Sequence, residues 1–166
     1  MSSKHFFKNL YYGIMDLGEY MKIFVDADGC PVVDIAIDIA KEYGLEIVVV
    51  KNYAHEISDS YAKVVSVDIS PNSADFHIIN NIEKNDIVIT QDYGLAALCL
   101  SKEAFPINQN GLIFSENNID GMLNRRHIHG KLRRQNKYYG KAKKRNPKAD
   151  KSFEKNLKKL IENRYL

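Results

Sequence analysis

The stretch "KEYGLEIVVV", Lys41 to Val50, constrains the fold more than any other part of the chain. Ahead of it, Val32, Ile35, Ala36, Ile39, Ala40 and Tyr43 recur at helical spacing, with Asp34, Asp38, Lys41 and Glu42 on the opposite face. Gly44 ends that helix. "LEIVVV" then follows, and its unbroken β-branched run from Ile47 to Val50 suits a parallel strand covered on both faces. The same grammar recurs along the chain. "MKIFVDAD", from Met21, reads as a first strand, with Pro31 where a helix can begin without losing a needed N–H. "KVVSVD" makes a third strand and "SADFHIINNI" a helix with Ser73 as N-cap. "DIVITQD" is a fourth strand, "YGLAALCLSKE" a helix behind it, and "GLIFSEN" a fifth short strand before a helix starting near Asn118. Strand and helix alternate throughout, so the expected class is α/β with a mostly parallel sheet.

A chain of 166 residues fits one domain with an appendage. We expect a domain over 21–130 and a basic arm with a terminal helix over 131–166, where Phe153, Leu157, Leu160 and Ile161 restore a helical apolar stripe. No apolar run approaches the length of about 20 residues needed to cross a bilayer, and the start of the chain lacks the h-region of a signal peptide. Cys30 and Cys99 are far apart and form no CxxC, so neither a disulfide framework nor a zinc site is suggested. The expectation is a soluble, cytoplasmic protein with reduced thiols and no membrane partner.

The net charge of +3 hides an asymmetry. Residues 1–119 hold 8 Lys and no Arg against 17 acids, whereas residues 120–166 hold 16 Lys and Arg against 4 acids. An acidic body with a basic end is expected when the partner is a polyanion and carboxylates hold metal ions elsewhere; the alternative is a solvated basic helix. In an open parallel sheet, ligands collect outside the carboxyl ends of the strands where the strand order reverses. If the order is 3-2-1-4-5, Asp26 and Asp28 after the first strand and Asp92 after the fourth converge there, and Asp75 at a helix start can reach the same place. Such acids repel one another unless cations sit among them. Oxygen ligands of this kind select Mg²⁺ or Mn²⁺, which can activate water and stabilise charge on a phosphodiester. Each Asp taken singly is also a natural cap or turn residue.

The segments "MKIFVDADGCPV", "SADFHIIN", "DIVITQDYGLA" and "NIDGMLNRR", in this order and spacing, resemble the bacterial YaiI/YqxD family, also called UPF0178 or DUF188. The resemblance runs from Met21 to the C-terminus. It implies a PIN-like three-layer α/β/α domain, and by extension from PIN-like nucleases a metal-dependent ribonuclease. Asp26 then resembles the first-strand metal acid, Asp92 the one after the fourth strand and Asp75 the helical acid between them, while Asp28 is distinctive of the family. Gly29 stands where alanine is usual, and the family's C-terminal pattern appears only loosely, as "YGKAKKRNPKAD".

Arg125, Arg126, Arg133 and Arg134, with Lys137, Lys143 and Lys144, are the candidate phosphate contacts, and Tyr138 and Tyr139 could stack on bases of single-stranded RNA. His55 could orient phosphate or a metal-bound water, or hydrogen-bond within its loop. Thr90 and Gln91 could position ligand or satisfy backbone. Cys30 sits near a helix start, which would lower its pKa, although a small packing residue is the plainer reading. Two rival functions remain. "DADGCPV" also resembles the DxDGT opening of haloacid-dehalogenase-type phosphohydrolases, with Asp26 as nucleophile and Asp28 as acid/base, but a positioned lysine and a second downstream acid are then required. The other rival is a non-catalytic RNA-binding module.

Met21 is a natural strand start, and "LGEYM" is what a purine-rich ribosome-binding sequence would give if translated. Residues 1–20 are therefore expected to be a mis-assigned start; the competing view is an amphipathic extension using Phe6, Phe7, Leu10, Tyr11 and Ile14. Protein isolated from its own cell should show an intact mass beginning at Met21. A mass that includes Met1 or Ser2 overturns this.

Overall fold

The computed structural model describes residues 21–53, 56–134 and 144–163, with the side chains of 129 and 132–134 excepted. Residues 1–20, His55, Lys137, Tyr138, Tyr139 and Lys143 lie outside the described residues. The elements are β1 (Lys22–Asp26), α1 (Val33–Tyr43), β2 (Glu46–Asn52), β3 (Lys63–Val67), α2 (Ser73–Asn81), β4 (Ile87–Ile89), α3 (Tyr93–Ser101), β5 (Phe105–Ile107), α4 (Glu116–Arg134) and α5 (Pro147–Glu162). The five strands form one sheet in the order β3-β2-β1-β4-β5, with every pairing parallel. This is the expected order, and it makes β1 and β4 neighbours.

Alternation along the strands splits the core into two layers. Ile23, Val25, Ile47, Val49, Ile87 and Ile89 face α1 and α5, whereas Phe24, Val48, Val50 and Val88 face Ile78 of α2 and Leu95 and Cys99 of α3. A third cluster, Ala96, Phe114 and Ile119, joins α4 to α3, and the Tyr93 and Phe114 rings meet edge to face at 5.8 Å. The three-layer α/β/α arrangement follows directly. Gly44 closes α1 in the left-handed conformation at φ 67°, as its position required.

Two local expectations are corrected. Ser73 is the first helical residue of α2, and the cap position is Asn72, at φ 65° and without a side-chain cap bond. Pro71 and Asn72 form a tight turn closed by the Ser73 N–H on Ser70 O at 3.3 Å, and a left-handed third residue suits Asn there. The turn overrides the serine cap. The fifth strand is "FPI", Phe105–Ile107, and not "GLIFSEN". Pro106 lacks an N–H, which an edge strand tolerates. "GLIF" instead folds back on that edge, with Ile113 bridging Ile107 and the Phe114 N–H on Pro106 O at 2.9 Å. The helix expected near Asn118 runs without a break from Glu116 to Arg134.

The C-terminal helix is part of the core. Phe153, Leu157, Leu160 and Ile161 are buried against the α1 side of the sheet, each contributing roughly 1.5–3 kcal/mol of burial. Polar contacts set its register: Arg145 donates to Asp150 Oδ1 at 2.8 Å, Asn110 Oδ1 at 3.0 Å and Gln109 O at 2.6 Å, and Asn156 donates to Gly111 O at 2.9 Å. Gly111, at φ 84°, lies so close to α5 that a Cβ there would stand 2.6 Å from Ser152 O. Gly111→Ala should therefore destabilise the fold by about 2 kcal/mol or more in urea denaturation. Gly121→Ala, in the exposed interior of α4 with open space around it, should instead be stabilising by about 0.5–1 kcal/mol.

Candidate functional site

Asp26 is the last residue of β1 and lies in register with Val50 of β2, so its carboxylate shares the α2–α3 side of the sheet with Val50 and Phe24. β4 ends at Ile89, and Thr90 follows, 1% exposed. The Thr90 hydroxyl donates to Asp26 Oδ2 at 2.9 Å and accepts from the Asp92 N–H at 3.0 Å. One buried threonine thus ties the two strand ends together. Asp92 caps α3, its Oδ1 accepting from the Leu95 N–H at 3.0 Å. Its other oxygen, Oδ2, meets Arg126 Nη1 at 3.3 Å. The capping role and the site role coexist in this residue, one on each oxygen.

Asp75 stands in the first turn of α2, half-buried. Burial pushes its carboxyl up first, Asp92 pushes it further, and Arg126 pulls it back. Asp26 is raised to about 6: burial is the largest cause, Asp75, Asp28 and Asp92 add repulsion, and the Thr90 hydrogen bond opposes them. Those mutual effects place all four acids in one electrostatic neighbourhood. Asp28 is held by Asn52, which donates its backbone N–H at 3.2 Å and its Nδ2 at 3.0 Å. Asn52 was not singled out from the sequence. Its position at the end of β2 is the signal that could have found it.

Of the two auxiliary residues described, Thr90 orients an acid and Gln91 satisfies backbone. Gln91 Nε2 donates to Gly29 O at 2.9 Å and joins the β4–α3 turn to the β1–α1 turn. Cys30 does not have the lowered pKa expected of a helix-start thiol; burial raises it, with a further upward push from Asp26, and it packs against the α1 core. Cys99 is fully buried and its thiol is pushed up to about 12 by burial.

Of the basic candidates, Arg126 alone among the described side chains is brought to the acids by a hydrogen bond. Arg125 and Lys144 are exposed, and the side chains of Arg133 and Arg134 are not described. The reason is legible in the spacing: Ile119, Met122 and Leu123 pack α4 on α3, and Arg126 continues their stripe at i+7 from Ile119. Arg125 falls off it. α4 therefore carries one arginine from the basic end of the chain to the cap of α3.

The donor set of Asp26, Asp28, Asp75 and Asp92 is all oxygen, as hard cations prefer. Among the described residues no group of three or more Asp, Glu, His or Cys is placed so that it could hold a metal ion together. Such an arrangement fits an open site of the Mg²⁺ kind, where one or two carboxylates anchor an ion whose other positions are water or phosphate. It does not fit an enclosed structural metal. Asp26 and Asp75 are the residues that would hold it.

These features define a class: a doubly wound parallel α/β protein with an acidic crevice at the point where strand order reverses, between β1 and β4. The chain belongs to the YaiI/YqxD family, since the family model described as "Uncharacterized BCR, YaiI/YqxD family" matches residues 24–163. It is 50% identical over 141 residues to the "UPF0178 protein" of Natranaerobius thermophilus, covering 85% of this chain and 96% of that one. It is 50% identical over 137 residues to the protein of the same name from Alkaliphilus oremlandii, covering 82% and 88%. Against that of Exiguobacterium sibiricum it is 40% identical over 141 residues, covering 85% and 96%. No solved structure matches.

The raised Asp26 has a measurable consequence. The folded protein keeps this proton up to about pH 6, whereas an unfolded chain loses it near 3.8, so stability falls as pH rises through that window and stays lower above it. Asp26→Asn removes the buried charge. At pH 7.5 the variant should be more stable than wild type by about 1–3 kcal/mol, and at pH 3.5 the difference should vanish. Urea denaturation at the two pH values checks this.

Proposed function

We propose that the protein is a divalent-cation-dependent nuclease that hydrolyses RNA phosphodiesters in the crevice between β1 and β4. The observation that carries this reading is the convergence of Asp26, Asp28, Asp75 and Asp92 at one strand edge, with Arg126 held against Asp92 at 3.3 Å. Half-buried carboxylates that repel one another are costly to a fold, and a bound cation offsets that cost. The parallel 3-2-1-4-5 sheet is compatible with the PIN-like resemblance seen in the sequence. A cytoplasmic location goes with such a substrate; no helix among the described residues is long and apolar enough to cross a membrane.

When bound in the crevice, a Mg²⁺ or Mn²⁺ ion would supply water activation and charge stabilisation on the phosphodiester. Asp26 is kept in place by Thr90, and Asp75 of α2 lies within electrostatic reach of it. Asp28, oriented by Asn52, accepts a proton from the attacking water in this reading. Arg126 is more than half exposed and uses one of its donors on Asp92, which leaves others for a phosphate oxygen. The phosphohydrolase reading needs a lysine beside Asp26. Lys51, the buried lysine among the described residues, neighbours Val50 on β2 and so alternates onto the opposite side of the sheet from Asp26.

The test is cleavage of RNA and DNA with Mn²⁺ or Mg²⁺, comparing wild type with Asp26→Asn and Asp92→Asn. Asparagine is as good an N-cap as aspartate, so Asp92→Asn should keep α3 and the fold. Both variants are expected to lose at least a hundredfold in rate, and wild type to lose its activity in EDTA. A folded protein that cleaves neither nucleic acid and binds no divalent ion sinks the nuclease. Covalent labelling of Asp26 by a phosphomonoester would favour the phosphohydrolase, and salt-sensitive RNA binding indifferent to EDTA without cleavage would favour the binding module.

A further inference from the structure

The two edges of the sheet are finished differently. At β5, Pro106 lacks an N–H, Ile113 bridges Ile107, and the Phe114 N–H closes on Pro106 O at 2.9 Å, so that edge is covered. At β3 nothing of this kind is present among the described residues. β2 is its one strand partner, no backbone group from outside the sheet bonds to Lys63–Val67, and the strand holds no proline. The backbone groups along this edge follow from the pairing. The Ala27 N–H bonds to Val50 O at 2.9 Å and the Asn52 N–H to Asp28 Oδ1 at 3.2 Å, so Val50 and Asn52 turn their backbone toward β1. Val49 and Lys51 therefore turn theirs toward β3. Val64 and Ser66 stand level with Val49 and Lys51, and in a parallel ladder the residue level with a bonding one points away. Val64 and Ser66 thus line the outer edge with N–H and C=O groups that nothing in the sheet satisfies.

We infer that β3 pairs antiparallel with β3 of a second copy of the chain, about a two-fold axis through Val65, and joins the two five-stranded sheets into one. In that register Val64 of each copy exchanges N–H···O=C bonds with Ser66 of the other. Val65 meets Val65, and Lys63 lies across from Val67, each pair on one face of the sheet. Charge selects this direction. Lys63 opens the strand and Asp68 directly follows it, both exposed, so antiparallel pairing brings the cation end of each copy to the anion end of the other. Parallel pairing would set Lys63 beside Lys63. A two-fold contact must present the same patch twice, and the opposite charges at the two ends of β3 meet that requirement. The same axis turns the carboxyl edges of the two sheets in opposite directions, so the acidic crevices stay open and apart.

Sedimentation velocity on the full chain should show a monomer–dimer equilibrium with a dissociation constant on the order of 10 µM, as suits a short contact. Ser66→Pro removes an outward N–H and leaves the bonds to β2, which an edge strand tolerates, and should shift the protein to monomer. Lys63→Asp and Asp68→Lys should each weaken the dimer about tenfold, and combining them should restore it, which a contact elsewhere on the surface would not predict. Both charged positions are exposed, so these variants carry the test even where the proline unsettles the strand, and circular dichroism should show their fold unchanged. Amide hydrogen exchange at Val64 and Ser66 should slow as protein concentration rises. A chain that stays monomeric at about 100 µM, roughly ten times that dissociation constant, overturns the inference. So does a dimer indifferent to all three substitutions, or edge amides whose exchange ignores concentration.

Discussion

The parallel pairing of β1 with β4 is the contact on which the rest of the molecule depends. Ile23, Phe24 and Val25 lie beside Ile87, Val88 and Ile89, none more than 3% exposed, so the pair is dry on both faces. That dryness demands helices on both sides, and it also decides where polar groups can go. The first polar residues past the dry pair are Asp26 on one strand and the buried Thr90 on the other, and Thr90 closes the pair by bonding to Asp26. The crevice is a direct product of two buried strands ending side by side at the reversal of strand order.

Charge is distributed to match. An acidic body would be expected to keep its carboxylates apart in water, yet four of them share one edge, and burial raises Asp26 and Asp75. Within the basic end of the chain, the described helices α4 and α5 pack on the domain. α5 fills the core on the α1 side, and its Lys158 pairs with Glu42 of α1 at 3.0 Å. α4 packs on α3 and delivers Arg126 to Asp92. The two halves of the charge asymmetry therefore meet at one site.

Much of this was legible. Helical spacing from Val32 to Tyr43, the Gly44 stop and the unbroken "LEIVVV" run are short-range signals, and each found its element. The meeting of the acids at the ends of β1 and β4 followed from the supposed strand order 3-2-1-4-5, which the sheet has. The misses came where a local preference met a stronger neighbour. Ser73 lost its capping place to the turn made by Pro71 and Asn72, and the "GLIF" segment was displaced from the sheet edge by "FPI", whose Ile107 pairs with Ile89. Cys30 has the place of a reactive thiol in sequence, but the core around it raises its pKa.

The sequence alone determined the class of fold, the faces of the helices and the placing of Asp26, Asp28, Asp75 and Asp92 at element ends, because periodicity, turns and caps act over a few residues. Only the tertiary structure decided that Arg126 and not Arg125 meets Asp92, and that Asn52 holds Asp28. It also decided the proton affinity of Asp26. These properties depend on desolvation and on partners up to 64 residues away in the chain, as between Thr90 and Asp26, and such distances leave no periodic trace in the sequence.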